Sequence, residues 1–391
     1  MKIRSLGIMV IAHASADINQ GAIPVLLPFF IAQHHISYAV AAGVVFAVNL
    51  VSTIFQPAFG YVVDKQSRPW LIPVSMLAIG CGVSFTGIAP SYEIGFAGLI
   101  VAGLGIAMFH PEGARLMNYL AGEKKATAMS LFGIGGQLGF AVGPILATAV
   151  LLNTGIKGTV YLVIPTAIVA GIVMYVLPGL TAGYERKGSP RRALTHSEGR
   201  DMWPAFTFLA SALLCRSVIF YGLNTFLPLF WIKVLHGSES AAGLALAVLL
   251  GSAIGGNFLG GGLAERIGYR TVTLTGFGLL TLCLPFLAFT HDPFWAIMTL
   301  IPIGVVLSLP FGPMVALGQM YLPTRVGLAS GITLGLAFSF GGLTTPLLGM
   351  VADHYGLRAA ITVVAFLPII CLGLVLALPR TSHGASHRSD N

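Results

Sequence analysis

The sequence predicts an all-α integral-membrane protein: twelve transmembrane helices in two pseudo-symmetric six-helix bundles. Three observations carry that prediction. Only 9% of the 391 residues are Asp, Glu, Lys or Arg and 56% are hydrophobic, whereas a soluble domain carries about 25% charged residues. Apolar runs reach the roughly 20 residues a helix needs to cross a bilayer, and they lack the polar–apolar alternation of a membrane barrel. Short motifs in the first half also return in the second half at a constant offset.

Spans are bounded by charged or turn-rich breaks. They are expected at 6–31, 38–63, 70–89, 93–119, 126–152 and 158–178, then at 204–232, 239–264, 271–289, 293–320, 326–352 and 357–379. Twelve such helices use about 250 residues, and a mean hydropathy of +0.87 leaves no room for a soluble enzyme or a disordered chain. The polar stretch from Thr181 to Asp201, with Arg186, Lys187, Arg191, Arg192 and Arg200, divides the chain. The expected organisation is an N-terminal bundle over 1–180, a linker over 181–203, a C-terminal bundle over 204–380 and a tail over 381–391. Lys2, Arg4 and Ala14-Ser15-Ala16 imitate a signal peptide, but the apolar run resumes through Ile31 and Asp17 follows directly. The segment therefore reads as the first span.

Charge sets the orientation. The net charge is +8, and basic residues collect in cytoplasmic loops. With the N-terminus inside, Lys65, Arg68, Arg115, Lys124, Lys125, the linker cations, Arg266, Arg270 and Arg325 fall on one side. Lys157, Lys233 and Arg358 fall on the other. Both termini are thus expected in the cytoplasm, and the basic balance needs no nucleic-acid partner. Cys81, Cys215, Cys283 and Cys371 lie inside apolar runs without disulfide or metal spacing. His34, His35, His236, His291 and His354 are scattered over external loops, so no metal site is expected.

The repeat has an offset of about 200 residues. Leu27-Pro28-Phe29-Phe30 returns as Leu227-Pro228-Leu229-Phe230, Gly60-x-x-x-Asp64-Lys65 as Gly261-x-x-x-Glu265-Arg266, and Gly143-Pro144 as Thr345-Pro346. Gly60-Tyr61-Val62-Val63-Asp64-Lys65 resembles the loop signature of the major facilitator superfamily. Gly139-Phe140-Ala141-Val142-Gly143-Pro144 resembles part of its fifth-helix antiporter signature. Asp17-Ile18-Asn19-Gln20-Gly21, Gln56-Pro57, Arg68-Pro69-Trp70, Phe109-His110-Pro111-Glu112 and Leu322-Pro323-Thr324-Arg325-Val326-Gly327 look like the fosmidomycin-resistance-type drug efflux family. The resemblance spans the chain and implies the major facilitator fold, alternating access, and transport driven by a proton gradient with no cofactor. One departure is the lack of an Arg near Leu99 to Gly103, where many proton antiporters of the superfamily carry one.

Charges at bilayer depth cost about 2.5–3.5 kcal/mol each and are functional candidates by default. Those left after helix ends are set aside are Asp17, Glu112 and Arg216, accompanied by His13 and His110. His13 and Asp17 are four residues apart and share a helix face. Asp17 and Glu112 are expected to carry protons, with Arg216 as counter-charge or anion anchor; a static Asp17–Arg216 pair is the structural alternative. His13 and His110 either relay protons or bind an anion, or else they pack. Asn19, Gln20, Asn49, Gln56, Gln137, Tyr221, Asn224 and Gln319 are the substrate-contact candidates. Gating is expected of Gly60, Asp64, Lys65, Arg68, Arg115, Glu265, Arg266 and Arg325, and of Gly139, Gly143 and Pro144 on the fifth helix.

No nucleophile–base pair or metal cluster suggests an enzyme. The expected function is a proton-coupled transporter, monomeric in the lipid bilayer, that exports a small amphipathic or anionic compound. Uptake of an organic anion is the alternative, and a non-transporting sensor or scaffold is the alternative of another class.

Overall fold

In the computed structural model, the described residues are 3–65, 68–121, 125–181, 200–325, 328–329, 332–333 and 337–379. The first six spans are α1 (Ile3–His34), α2 (Tyr38–Lys65), α3 (Leu71–Phe85), α4 (Tyr92–Ala121), α5 (Lys125–Thr154) and α6 (Val163–Thr181). The second six are α7 (Trp203–Lys233), α8 (Glu239–Ile267), α9 (Tyr269–Phe289), α10 (Pro293–Ser308 continued by Phe311–Tyr321), α11 (Ala337–Tyr355) and α12 (Leu357–Leu376). Nine helices among the described residues are long and apolar enough to cross a membrane, and none of those residues is in a β-strand. Large apolar side chains such as Ile168, Phe258 and Leu282 are exposed, as lipid-facing surfaces require.

Three spans differ from the sequence expectation for a local reason, and of the eleventh, expected over 326–352, positions 326–327, 330–331 and 334–336 lie outside the described residues. The third helix stops at Phe85 rather than 89, where the Thr86 hydroxyl donates to Val83 O at 2.6 Å and Gly87 meets Ile156 and Thr159. The sixth begins as a 3-10 turn over Ile156–Leu162, after Gly155 adopts φ 64° to end α5. The tenth breaks after Ser308, because Pro310 has no N–H for the helical ladder. That break frees carbonyls near Leu307, and the functional site uses one of them.

Two compact units are present. The first comprises Met1–Leu194, Asn224–Gly251 and Gly342–Ala360; the second comprises Thr195–Leu223, Ser252–Gly341 and Ile361–Asn391. In the first, α1 and α5 pack closely, since Gly135, Gly139 and Gly143 face the carbonyls of Val10, Ala14 and Ile18. The four-residue step is the same on both helices, so each glycine admits one turn of its neighbour. Gly21 returns the contact against Phe140. Asn19 ties α1 to α6, its Nδ2 donating to Thr166 Oγ1 at 2.6 Å while that hydroxyl donates to Ser15 O at 3.0 Å.

The second unit uses the same device. Gly256 and Gly260 of α8 face the carbonyls of Val305 in α10 and of Leu309 in its break, and Gly276 of α9 meets Pro310. Its helix ends are sealed by charge. Asp292 accepts from Phe294 N and Trp295 N at the start of α10 (2.8 and 3.2 Å), and Arg270 donates to the carbonyls of Leu376 and Leu378 at the end of α12.

Candidate functional site

The site in the first unit grows from the spacing on α1. His13 and Asp17 lie one turn apart, with His13 Nε2 3.2 Å from Asp17 Oδ2. From α4, His110 Nε2 approaches the other oxygen, Oδ1, at 3.9 Å. One side-chain nitrogen or oxygen from each of the three residues lies within 4.8 Å of the others, a proximity that a separation of about 95 residues along the chain hides. His13 and Asp17 are buried, whereas the His110 side chain is 29% exposed. His110 is therefore the least enclosed member of the three.

Hydrogen bonding fixes which imidazole nitrogen carries a hydrogen. His13 Nδ1 lies 2.7 Å from Phe132 O, and His110 Nδ1 lies 3.0 Å from Ile106 O. A carbonyl only accepts, so both Nδ1 atoms donate. In a neutral imidazole the other nitrogen is then a bare acceptor. Both Nε2 atoms consequently turn lone pairs toward a carboxylate that also only accepts. Asp17 Oδ1 has no hydrogen-bond partner among the described residues. A proton on Nε2 or on the carboxyl converts this acceptor-to-acceptor arrangement into a hydrogen bond, so the group is complete only when protonated.

Its walls are tight and mostly apolar. The Phe132 ring stacks on His13 at a centroid distance of 4.0 Å, and Phe109 lies 5.6 Å from the same imidazole. Gly136 of α5 closes one side, where a Cβ would sit 2.7 Å from both Asp17 Oδ2 and His13 Nε2. Phe132 and Gly136 are site residues that the sequence reading did not assign. Polarity on helix 5 is the usual signal, and neither carries any. Glu112 is wholly buried on the same helix as His110, and Gly113 beside it packs on Phe132. Among the described residues, the ion-pair partners of Asp17 are the two histidines.

Arg216 belongs to the second unit. It is buried, its Nε donates to Leu307 O at 2.8 Å, and its guanidinium lies 4.9 Å from the centre of the Phe311 ring. Leu307 and Phe311 flank the proline break, so the interruption of α10 builds the seat of the arginine. No carboxylate lies within ion-pair distance of this guanidinium among the described residues.

The other candidates divide. Asn19 is taken up by packing against Thr166, and Asn49 donates to Val45 O at 2.7 Å. The side-chain carbonyls of Gln20 and Asn224 have no partner among the described residues. Tyr221 is buried and meets Phe220 edge-on, while Gln56, Gln137 and Gln319 are half-buried.

Of the gating candidates, Gly60 is half-buried near Pro111. Gly139 and Gly143 lie in the α1–α5 seam, and the carbonyl of Pro144 faces Gly243. The side chains of Asp64 and Lys65 lie outside the described residues, Arg68, Glu265 and Arg266 are exposed, and Arg115 is half-buried. Arg325 lies 3.6 Å from Asp201 and 5.5 Å over Trp203. Asp201, unassigned by sequence reasoning, also accepts from the backbone and hydroxyl of Thr324.

Twelve helices, nine of them long and apolar enough to cross a membrane among the described residues, make this a multi-pass membrane protein. A sequence profile described as the Major Facilitator Superfamily matches residues 9–346, and the chain belongs to that superfamily. It is 30% identical over 385 residues to the uncharacterised MFS-type transporter YfnC of Bacillus subtilis (strain 168), covering 95% of this chain and 92% of that protein. It is 27% identical over 384 residues to the fosmidomycin resistance protein of Escherichia coli (strain K12), covering 97% and 93%. In fold it is similar to a bacterial homologue of the human lysosomal transporter Spinster, with TM-score 0.77, 15% identity and 95% of each chain covered.

Proposed function

We propose that the protein is a proton-coupled antiporter that exports a small amphipathic or anionic compound by alternating access, with the proton gradient as its only energy source. The observation that carries this reading is the pair of bare Nε2 atoms directed at the Asp17 carboxylate. A group that is complete only when protonated, and whose least enclosed member is His110, takes up a proton from one side. It must release that proton when its surroundings change. The buried Asp17 is the central carrier, His13 and His110 share the proton, and Glu112 is a second buried carboxyl on α4.

Arg216 supplies the other half of the reading. A guanidinium with no carboxylate in ion-pair distance among the described residues, laid over Phe311, suits a compound with an anionic group and an apolar body. The relative from Escherichia coli named for fosmidomycin resistance supports export as the direction. We place the chain in a bacterial inner membrane as a monomer, both termini in the cytoplasm.

The test is a proteoliposome assay with an imposed pH gradient and a panel of phosphonates, organic anions and cationic drugs. Gradient-driven movement of an anionic member of the panel, lost in Arg216→Gln, is expected. Counterflow with no dependence on the gradient would overturn the coupling.

A further inference from the structure

The first four N–H groups of a helix lack helical partners. At the start of α2, Ser37 Oγ accepts from Val40 N at 3.3 Å, an ordinary local cap. The two N–H groups before it are satisfied from 315 and 314 residues away: Tyr38 N donates to Asp353 Oδ1 at 2.8 Å and Ala39 N to Asp353 Oδ2 at 3.0 Å. Asp353 lies in the last turn of α11, exposed to solvent. Both carboxylate oxygens are engaged at the positive end of a helix, where negative charge is favoured.

Below this contact the two helices meet through small residues. Gly349 lies against Ala39, where a Cβ would come 2.5 Å from Ala39 Cα, and Gly342 lies against the side chain of Asn49. Between them Thr345 Oγ1 lies 3.3 Å from Ala42 O, while its shorter bond is to Gly342 O at 2.8 Å within its own helix. Asp353, Gly349, Thr345 and Gly342 therefore form one face of α11. On that face the two bonds to Asp353 are the only charged contact with α2 among the described residues. Thr345 keeps its shorter bond to Gly342 O when the helices part, so the charge-assisted bonds to Asp353 are the strongest polar tie on this face.

The sequence repeat puts α2 in the first six-helix set and α11 in the second, and this contact is at the end of α2 opposite Lys65 and Arg68. We propose that Asp353 is the latch of the gate at that end: its carboxylate holds α11 on the start of α2 and must let go each time that end opens. The proposal rests on the alternating-access part of the proposed function and not on the proton site.

The experiment measures the distance between spin labels on Val40→Cys and Tyr355→Cys in the full-length protein in lipid nanodiscs, with the four native cysteines replaced. Asp353→Ala is expected to raise the ratio of long to short distances roughly two- to fivefold. Asp353→Asn, which keeps the shape and one acceptor but loses the charge, is expected to shift it by less in the same direction. Asn decides the matter if the Ala variant fails to purify as a monodisperse species. Unchanged distances in a folded Asp353 variant overturn the latch even where gradient-driven transport persists. Loss of gradient dependence in the parent overturns the transport reading while leaving the distance result standing.

Discussion

His13 and Asp17, one turn apart on α1, hold Nε2 3.2 Å from Oδ2, and the nitrogen that faces the carboxylate is the one that the Phe132 carbonyl leaves without a hydrogen. The pair is therefore two acceptors in contact until a proton arrives. His110 repeats the geometry from α4, more loosely and less enclosed. Several outcomes can be stated from this arrangement.

The first concerns Gly136, whose absent Cβ is what admits the pair. Gly136→Ala is expected to push Asp17 away from His13 and to cut gradient-driven transport at least tenfold, with expression close to that of the parent. A fluorescence size-exclusion profile alongside the transport assay separates the two effects. Unaltered coupling in a folded Gly136→Ala protein would contradict the account of the site.

The second concerns Arg216. Arg216→Lys keeps the charge but loses the planar fork that reaches both Leu307 O and the face of Phe311. Substrate affinity is expected to fall about tenfold, and Arg216→Gln is expected to lose anion binding altogether. Equilibrium binding to the purified protein measures both. Equal affinities in all three proteins would remove Arg216 from the substrate site.

A third prediction is structural. Thr166→Val deprives Asn19 Nδ2 of its 2.6 Å acceptor and Ser15 O of a donor. Polar contacts between membrane helices average about 0.6 kcal/mol and reach about 1.7. The variant is expected near the upper figure, because two linked bonds are lost together. Thermal unfolding in detergent should show a lower Tm with substrate affinity unchanged. A change in affinity at constant Tm would instead place Asn19 in the substrate path.

The fourth concerns the α1–α5 seam. Gly139→Val puts a branched side chain where the Ala14 carbonyl already lies. Overpacking of this kind costs about 1–3 kcal/mol. The folded yield is expected to drop, and Gly133→Val, at a position of α5 with no atom near its missing Cβ, should be tolerated. Comparable yields from both would show that the seam opens more easily than its contacts imply.

Much of this was legible before any fold was known, for a physical reason. Lipid demands long apolar helices and expels charge, so a stray Asp17 or Arg216 stands out against its surroundings. The four-residue spacing of His13 and Asp17 also fixed their shared face. What stayed hidden depends on contacts between distant helices. Nothing in the chain announces that His110 will reach the free oxygen of Asp17, or that the Phe132 carbonyl will choose the tautomer of His13. Pro310 could be read as a kink, but not as the source of a carbonyl for Arg216. Asp353 looks like any loop-end carboxylate until α2 begins beside it.

The central claim is that Asp17 carries the transported proton, and the most direct measurement is made with Asp17→Asn in proteoliposomes. The amide is nearly isosteric but does not cycle a proton. Substrate counterflow without a gradient should persist, while uphill movement driven by a pH gradient, and proton entry on adding substrate, should both vanish. Uphill transport by Asp17→Asn with its pH dependence intact would contradict the account.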